Sequence, residues 1–360
     1  MSIGIDCGTM FLVKGEIDAV SESASFTSQR NVFLKASSSD DTEQTLKENN
    51  WSYVKHENDF YILGEDAIKI KNLLTIRSSD ANDKLILTKI SGLRRPMKDG
   101  ILNISEEKLS LAIIQKLIGL LLDRQPNKNE VLCFCAPADP IDTNASVVFH
   151  KTMLTSFFQS LGYVVECIPE AMAIIYSERP VVEDVDEGEI PFSGISMSFG
   201  AGQVNCCLAF KKMPLISFSV TRSGDWIDQE ASKISGVDVS VITKFKEKNL
   251  NLEKVNMTDM KQAALDIFYQ NMIENVLTKF SEKFNQLQNQ IDYPLEIVVA
   301  GGTASVPGFL GKFKNVLSRL ELPFKVKDVR LAENPLYAVA NGCLIKAMST
   351  EKKQEKNKGK

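Results

Sequence analysis

The stretch IGIDCGTMFLV, from Ile3 to Val13, places a glycine turn between two apolar, strand-like runs, and ISMSFGAGQVNCCL, from Ile195 to Leu208, repeats this pattern. Further strand-like runs and then helical patterns follow each of the two stretches. A third glycine-rich turn, Gly301-Gly302, ends the apolar run LEIVVA and precedes a helical pattern. This repetition predicts a duplicated α/β architecture.

The first turn carries a candidate phosphate and metal site. Its leading strand delivers Asp6 to the turn, where Gly8 lets the chain reverse tightly. The amides of Gly8, Thr9 and Met10 can then face an anion as a concave nest. Asp6 can hold the waters of Mg²⁺, an ion that sheds water reluctantly. The alternative is an ordinary hairpin turn that binds nothing.

The other two turns have both a functional and a structural explanation. Gly200-Ala201-Gly202, facing the first turn, could clamp the β- and γ-phosphates of a nucleotide; alternatively it is a hairpin with a glycine bulge. Gly301-Gly302 permits close backbone approach to a flat ligand, which here would be adenosine. Alternatively, this strand-to-helix turn needs glycine only for packing.

In their order, the three turns resemble the phosphate and adenosine motifs of the actin, heat-shock chaperone and sugar-kinase superfamily. Further segments narrow the resemblance to the MreB bacterial actins and extend it over about residues 2–348. These segments are ILGEDA (62–67), RRPMKDGIL (94–102), PEAMA (169–173), SGDWID (223–228) and NPLYAVANGCLIKAM (334–348). The chain thus resembles a divergent MreB-like actin.

The resemblance implies an α/β, actin-like (ribonuclease H-like) duplicated fold with two lobes around a nucleotide cleft. Lobe I would comprise residues 1–163 plus 332–348, with a small subdomain inserted at about 30–95. Lobe II would comprise residues 164–331, with a small subdomain at about 226–290. Residues 349–360, a lysine-rich stretch, should be a disordered tail.

The resemblance also implies ATP and Mg²⁺ as ligands. Asp6 would be catalytic and would hold the metal through water. Phosphate would contact Gly8, Thr9, Met10, Gly200, Ala201, Gly202 and Gln203, and adenosine would contact Gly301, Gly302, Thr303 and Lys246. Lys246 belongs to KFKEK (244–248), where an exposed charged helix face explains the lysines and Glu247 equally well.

Two departures from the family pattern bear on hydrolysis. The second phosphate turn usually begins with Asp, but here that position is Ser198, which predicts slow turnover because one of two carboxylates is missing. Counting back from Gly162 puts His150 where relatives have a Glu that positions the attacking water. That count crosses an insertion after Pro137, so Asp139 or Asp142 could serve instead, and His150 could be only a helix-surface residue.

Composition and charge limit the partners and the cellular location that we expect. The 360 residues carry a net charge of −4, so no global charge points to nucleic acid or an acidic membrane. A leader and an apolar run of membrane-spanning length are not apparent, so we expect a cytoplasmic protein. The seven cysteines are expected to be reduced thiols.

The favoured function is a cytoskeletal ATPase that partners itself in head-to-tail filaments, with adaptor proteins as possible further partners and only indirect membrane or DNA association. A non-polymerising adaptor of actin fold is the second hypothesis, which Ser198 favours. A small-molecule kinase of the same superfamily is the third.

Overall fold

A computed structural model describes residues 2–37, 40–77, 92–287 and 291–358. Its strands are β1 (Ser2–Cys7), β2 (Phe11–Ile17), β3 (Ala24–Arg30), β4 (Phe33–Ser37), β5 (Tyr53–His56), β6 (Asp59–Leu63), β7 (Met97–Lys98), β8 (Ile101–Leu102), β9 (Val131–Ala136), β10 (Val164–Pro169), β11 (Val181–Asp184), β12 (Gly188–Pro191), β13 (Gly194–Phe199), β14 (Val204–Phe210), β15 (Met213–Val220), β16 (Leu295–Ala300) and β17 (Val326–Leu331). Its helices are α1 (Asp40–Glu48), α2 (Gly64–Arg77), α3 (Ser110–Leu122), α4 (Val148–Ser160), α5 (Glu170–Glu178), α6 (Gly224–Ser235), α7 (Val239–Lys248), α8 (Met260–Phe284), α9 (Phe309–Leu317) and α10 (Ala338–Lys358).

The first lobe is built on a sheet with the strand order β10-β9-β1-β2-β3. Strands β1 and β2 form the antiparallel hairpin around the first glycine turn, while β1, β9 and β10 run parallel. Every residue of β9, VLCFCA, is buried, as is typical of a parallel strand covered on both faces. Residues of α3 and α4, including Leu117 and Phe158, pack on this sheet.

The second lobe repeats this plan with the order β15-β14-β13-β16-β17. Here β13 and β14 form the antiparallel hairpin around the second glycine turn, and β13, β16 and β17 run parallel. The predicted duplication is confirmed, since each lobe places its glycine turn at the same point of the same strand order. Aromatic side chains from α8 and α9, among them Phe280 and Phe309, fill the core beside this sheet.

Helices α5 and α10 join the two sheets. Their apolar residues share one buried cluster with Cys133 of β9 and Val298 of β16. The two helices approach so closely that a Cβ on Gly342 would lie 1.7 Å from the carbonyl oxygen of Ala173. Glycine is therefore required at this crossing, because any side chain would force the helices apart.

The stretch at residues 35–58, whose polar, turn-rich sequence predicts an insertion at an edge, contains α1 and contributes to a sheet of order β4-β6-β5, with its own core around Leu34 and Phe60. One local prediction needs correction. The acidic stretch at 178–190, expected as a loop, contains the hairpin β11–β12. The loop predicted at 77–84 lies outside the described residues apart from Arg77, which ends α2. The lobe boundaries themselves stay a prediction.

The predicted disorder of residues 349–360 is wrong as far as the structure describes them, because α10 continues to Lys358. Contacts with the first lobe explain the extension: Ser2 Oγ donates to Glu351 at 2.8 Å, and Thr350 Oγ1 donates to Glu166 at 3.2 Å. Lysine, glutamate and glutamine are also good helix formers. Within the described ranges, no helix combines the length and apolar character needed to cross a membrane.

Candidate nucleotide site

A cleft of about 490 Å³ lies between the two lobes, within the size range of small-molecule sites. All three glycine turns line it. The sequence-predicted residues that line the cleft are Asp6, Gly8, Thr9, Met10, Gly200, Ala201, Gly202, Gln203, Lys246, Gly301, Gly302 and Thr303. The fold therefore brings together every predicted site residue except His150 and its two alternatives, Asp139 and Asp142.

The first turn is held by its own lobe. The backbone N–H of Asn31 donates to the carbonyl of Met10 at 3.0 Å, and Asn31 Nδ2 donates to the carbonyl of Gly8 at 3.0 Å. A Cβ on Gly8 would lie 2.7 Å from the carbonyl oxygen of Phe11, so the turn has room only for glycine there. Cys135 Sγ approaches Asp6 Oδ1 to 3.4 Å from the neighbouring strand β9.

The second turn meets the first across the cleft. A Cβ on Gly202 would lie 2.5 Å from Thr9 Oγ1 and 2.5 Å from the backbone N of Gly100. Gln203 is 3% exposed, yet neither polar atom of its carboxamide has a partner among the described residues. Buried polar groups are normally hydrogen-bonded, so this amide is suited to a polar ligand in the cleft.

The third turn is attached to the second. Gly301 has φ +100°, and a Cβ there would lie 2.4 Å from the carbonyl oxygen of Phe199, so only glycine fits. Thr303 Oγ1 donates to the carbonyl of Gly200 at 2.9 Å. Two turns that are a hundred residues apart in the sequence therefore form one wall of the cleft.

Lys246 lies at the side of the cleft where adenosine was predicted. It is 8% exposed, so it does not belong to an exposed charged helix face. Its Nζ lies 2.7 Å from Asp228 Oδ1 and donates to the carbonyl of Gly224 at 2.8 Å. Two buried partners thus already occupy this ammonium, which places Lys246 as a support for the cleft wall between α6 and α7.

Sequence reasoning missed the second carboxylate of the cleft, which is Glu170 at the start of α5. Ser198 Oγ donates to Glu170 Oε1 at 2.6 Å, and Asn205 Nδ2 donates to Oε2 at 3.0 Å. Glu170 was visible in the PEAMA segment, and the loss of Asp at position 198 was the signal that a carboxylate from elsewhere could replace it. The pairing could not be read from sequence, because it joins α5 to β13.

Glu170 and Asp6 influence each other electrostatically. Burial, followed by the nearby charge of Asp6, raises the pKa of Glu170 to about 8, against the hydrogen bond from Ser198. Burial likewise raises the pKa of Asp6 to about 6, opposed by its contact with Cys135. Both side chains keep some surface open to the cleft, so water there moderates these shifts. The pair favours a bound proton or a cation, since two neighbouring carboxylates repel each other.

His150 is neither a residue of the cleft nor a surface residue. It is 1% exposed, and neither ring nitrogen has a partner in the described parts of the chain. Burial lowers the pKa of His150 to about 4. The reason for its position is periodicity: His150, Leu154 and Phe158 recur every four residues and form the buried stripe of α4. Asp139 and Asp142 do not line the cleft either, and Asp142 accepts a 2.8 Å hydrogen bond from the amide of Thr221.

Comparisons with known proteins agree with this architecture. The subunit of the MamK double helical filament matches with a TM-score of 0.64 at 15% identity, over 96% of this chain and 98% of that one. MreB5 of Spiroplasma citri bound to AMPPNP matches with a TM-score of 0.63 at 13% identity, over 99% of this chain and 98% of that one. No curated protein matches the chain.

At such low identities, these similarities establish the fold, and they confirm the resemblance to MreB-like actins. The protein-family model described as Volactin matches residues 1–347, which is nearly the whole chain. The chain therefore belongs to the Volactin family and carries an MreB-like actin fold.

Proposed function

We propose that this protein binds Mg-ATP in the cleft and assembles head-to-tail into nucleotide-dependent filaments. The observation that carries the nucleotide assignment is the meeting of the two glycine turns, where Gly202 has no room for a Cβ beside Thr9. Backbone amides from both lobes can then face the same phosphate groups. MreB5 of Spiroplasma citri, which has the same fold, was determined with AMPPNP and with ADP.

The residues present fit a magnesium ion. Mg²⁺ is usually held by one or two carboxylates, water and substrate phosphates, and Asp6 and Glu170 supply two carboxylates in the same cleft. A dication would favour the ionised form of both, because it offsets the repulsion that raises their pKa values. When bound, the ion would neutralise charge on the phosphate oxygens.

Hydrolysis should be slow but present. Ser198 cannot supply charge, but its hydroxyl holds the carboxylate of Glu170 at 2.6 Å, so the second carboxylate comes from α5. This carboxylate is available to orient water or to accept a proton. His150 takes no part, since its buried stripe lies away from the cleft.

The filament proposal rests on the fold, which is shared with the subunit of the MamK filament. Head-to-tail contacts use two different surfaces of the subunit and extend into open filaments. If nucleotide binding brings the lobes together, the two surfaces that make the head-to-tail contacts change at the same time, and assembly becomes dependent on nucleotide. The alternative is an adaptor that holds ATP with little turnover; Ser198 is the residue that favours it.

The test is calorimetric titration with Mg-ATP, followed by right-angle light scattering and phosphate release on the same protein. We expect binding, a rise in scattering with filaments in negative stain, and slow phosphate release. Binding without assembly across protein and salt concentrations would overturn the filament proposal in favour of the adaptor. The absence of any binding would overturn both.

Gly202→Ala gives this test a site-specific control. The new methyl group would lie 2.5 Å from Thr9 Oγ1, so it should push the turns apart and weaken ATP binding at least about tenfold. Gly119→Ala in α3, where a Cβ meets no atom of the described residues within 4 Å, is the matched variant and should bind like the wild type. Equal binding by both variants would show that nucleotide does not sit between the turns.

A further inference from the structure

An ion pair connects the lobes at one mouth of the cleft. Arg30, at the end of β3 in the first lobe, donates to both carboxylate oxygens of Glu247 in α7 of the second lobe, at 3.0 and 2.9 Å. The guanidinium also lies over the ring of Phe11, 4.1 Å from its centroid. Both Arg30 and Glu247 line the cleft. Two parallel hydrogen bonds and stacking on a ring fix the orientation of the guanidinium. This ion pair therefore forms only at one particular separation of the lobes.

A second ion pair connects the lobes beside the phosphate turns. Arg95, just before β7, donates through Nη1 to Asp225 Oδ2 at 2.6 Å. Asp225 lies in the first turn of α6, and its backbone N–H donates to the carbonyl of Ala201 in the second glycine turn. The segments RRPMKDGIL and SGDWID, which carry part of the resemblance to MreB actins, thus contact each other through the side chains of Arg95 and Asp225.

The four charged side chains of these two ion pairs are partly buried. The side chains of Arg30 and Glu247 are 23% and 28% exposed, and those of Arg95 and Asp225 are 25% and 22% exposed. Pairs at this depth are weakened by salt and individually stabilise an arrangement only modestly. Such ion pairs suit a contact between lobes that must open and close, because breaking them does not leave an unpaired charge buried away from water.

We propose that Arg30–Glu247 and Arg95–Asp225 are two salt-sensitive clasps that hold the lobes together and set the rate at which nucleotide leaves the cleft. This proposal rests on the proposed function only where it concerns nucleotide. The clasps themselves act on the closure of the empty protein, which can be measured separately.

The experiment follows amide hydrogen exchange in the two phosphate turns of nucleotide-free protein, and the release of a fluorescent ATP analogue into excess ATP. In Arg30→Ala and Arg95→Ala we expect exchange at both turns and analogue release to accelerate about two- to fivefold each. The exchanged pair Arg30→Glu with Glu247→Arg should recover most of the effect. Lys211→Ala, which removes a 2.7 Å ion pair with Glu187 inside the second lobe, is the matched control and should change neither rate.

The outcomes separate the two proposals. If exchange accelerates but no analogue binds to wild-type protein, the clasps stand and the proposed nucleotide binding fails. Exchange rates in both arginine variants equal to those of Lys211→Ala would overturn the clasps whatever the analogue does. Wild-type exchange at the turns should also rise between 50 and 500 mM salt, and this rise should be smaller in the double variant Arg30→Ala with Arg95→Ala.

Discussion

Replacement of His150 by leucine should make the protein less sensitive to acid. His150 is 1% exposed on the buried stripe of α4, and burial lowers its pKa from 6.5 to about 4. In the unfolded chain this imidazole binds a proton below its ordinary pKa, whereas the folded protein keeps it neutral. The stability it allows is therefore complete above pH 6.5 and is lost as the pH falls toward 4.

The magnitude follows from these two pKa values. At pH 5 the unfolded chain has taken up this proton and the folded protein has not, which costs about 2 kcal/mol of unfolding free energy. At pH 7.5 this protonation cost is close to zero. Leucine does not bind a proton, and it also removes two ring nitrogens that have no partner among the described residues. At pH 7.5 the free energy of unfolding of His150→Leu should therefore equal that of wild type or exceed it by up to about 2 kcal/mol.

Urea unfolding at pH 7.5, 6 and 5 measures the difference between the two proteins, in which all other titrating groups cancel. That difference should widen by about 2 kcal/mol in favour of His150→Leu between pH 7.5 and pH 5. Leu154→Val, on the same buried stripe of α4 and without a titrating group, is the control, and its difference from wild type should stay constant over this pH range. Parallel curves for His150→Leu would refute the reasoning, and loss of phosphate release at pH 7.5 would return His150 to the list of catalytic candidates.

Three further predictions concern the framework of the cleft. In urea unfolding, Gly342→Ala should destabilise the protein by more than about 2 kcal/mol, because its Cβ would collide with α5. The control Gly119→Ala in α3 should stabilise it by up to about 1 kcal/mol, because alanine is the better helix former. The raised pKa of Glu170 gives the nucleotide-free protein a contribution to stability that is lost as pH rises from 4.5 to about 8. In thermal melts the Tm of wild type should therefore fall relative to that of Glu170→Gln over this range, and a constant difference would contradict the assignment. Lys246→Met should cost about 3–5 kcal/mol because it leaves Asp228, 1% exposed, as an unpaired buried charge. Adding Asp228→Leu should recover much of that loss, and no recovery would mean that packing, not charge, explains it.

The glycine turns and the succession of strands and helices along the chain could be predicted because their signals are local. A strand is recognisable from its apolar run, and a tight turn from glycine, within ten residues. Helical patterns after Pro307 and from Trp226 to Gln288 also predicted the approximate positions of α9 and of α6 to α8. Boundaries were less accurate: the helix that the sequence predicts from Asn144 to Leu161 begins at Val148, and the helix predicted to end at Met348 continues to Lys358.

The errors at His150 and in the C-terminal stretch share one physical cause, which is contact between distant parts of the chain. Counting along the sequence assigned His150 to the cleft, but the apolar face of α4 turns it into the core. Composition predicted a disordered tail, but bonds to Ser2 and Glu166 accompany its helix. Each error concerns a residue whose environment is supplied by another element.

The duplicated α/β plan and the three glycine turns were readable from the amino-acid sequence, because glycine and apolar alternation act on their immediate neighbours. Which carboxylates share the cleft, and how the lobes are joined, became clear only from the packing of the elements. Glu170 meets Ser198 and Arg30 meets Glu247 only after α5 and α7 pack. Burial and charge pairing are properties of that packing, so no local pattern could have specified them.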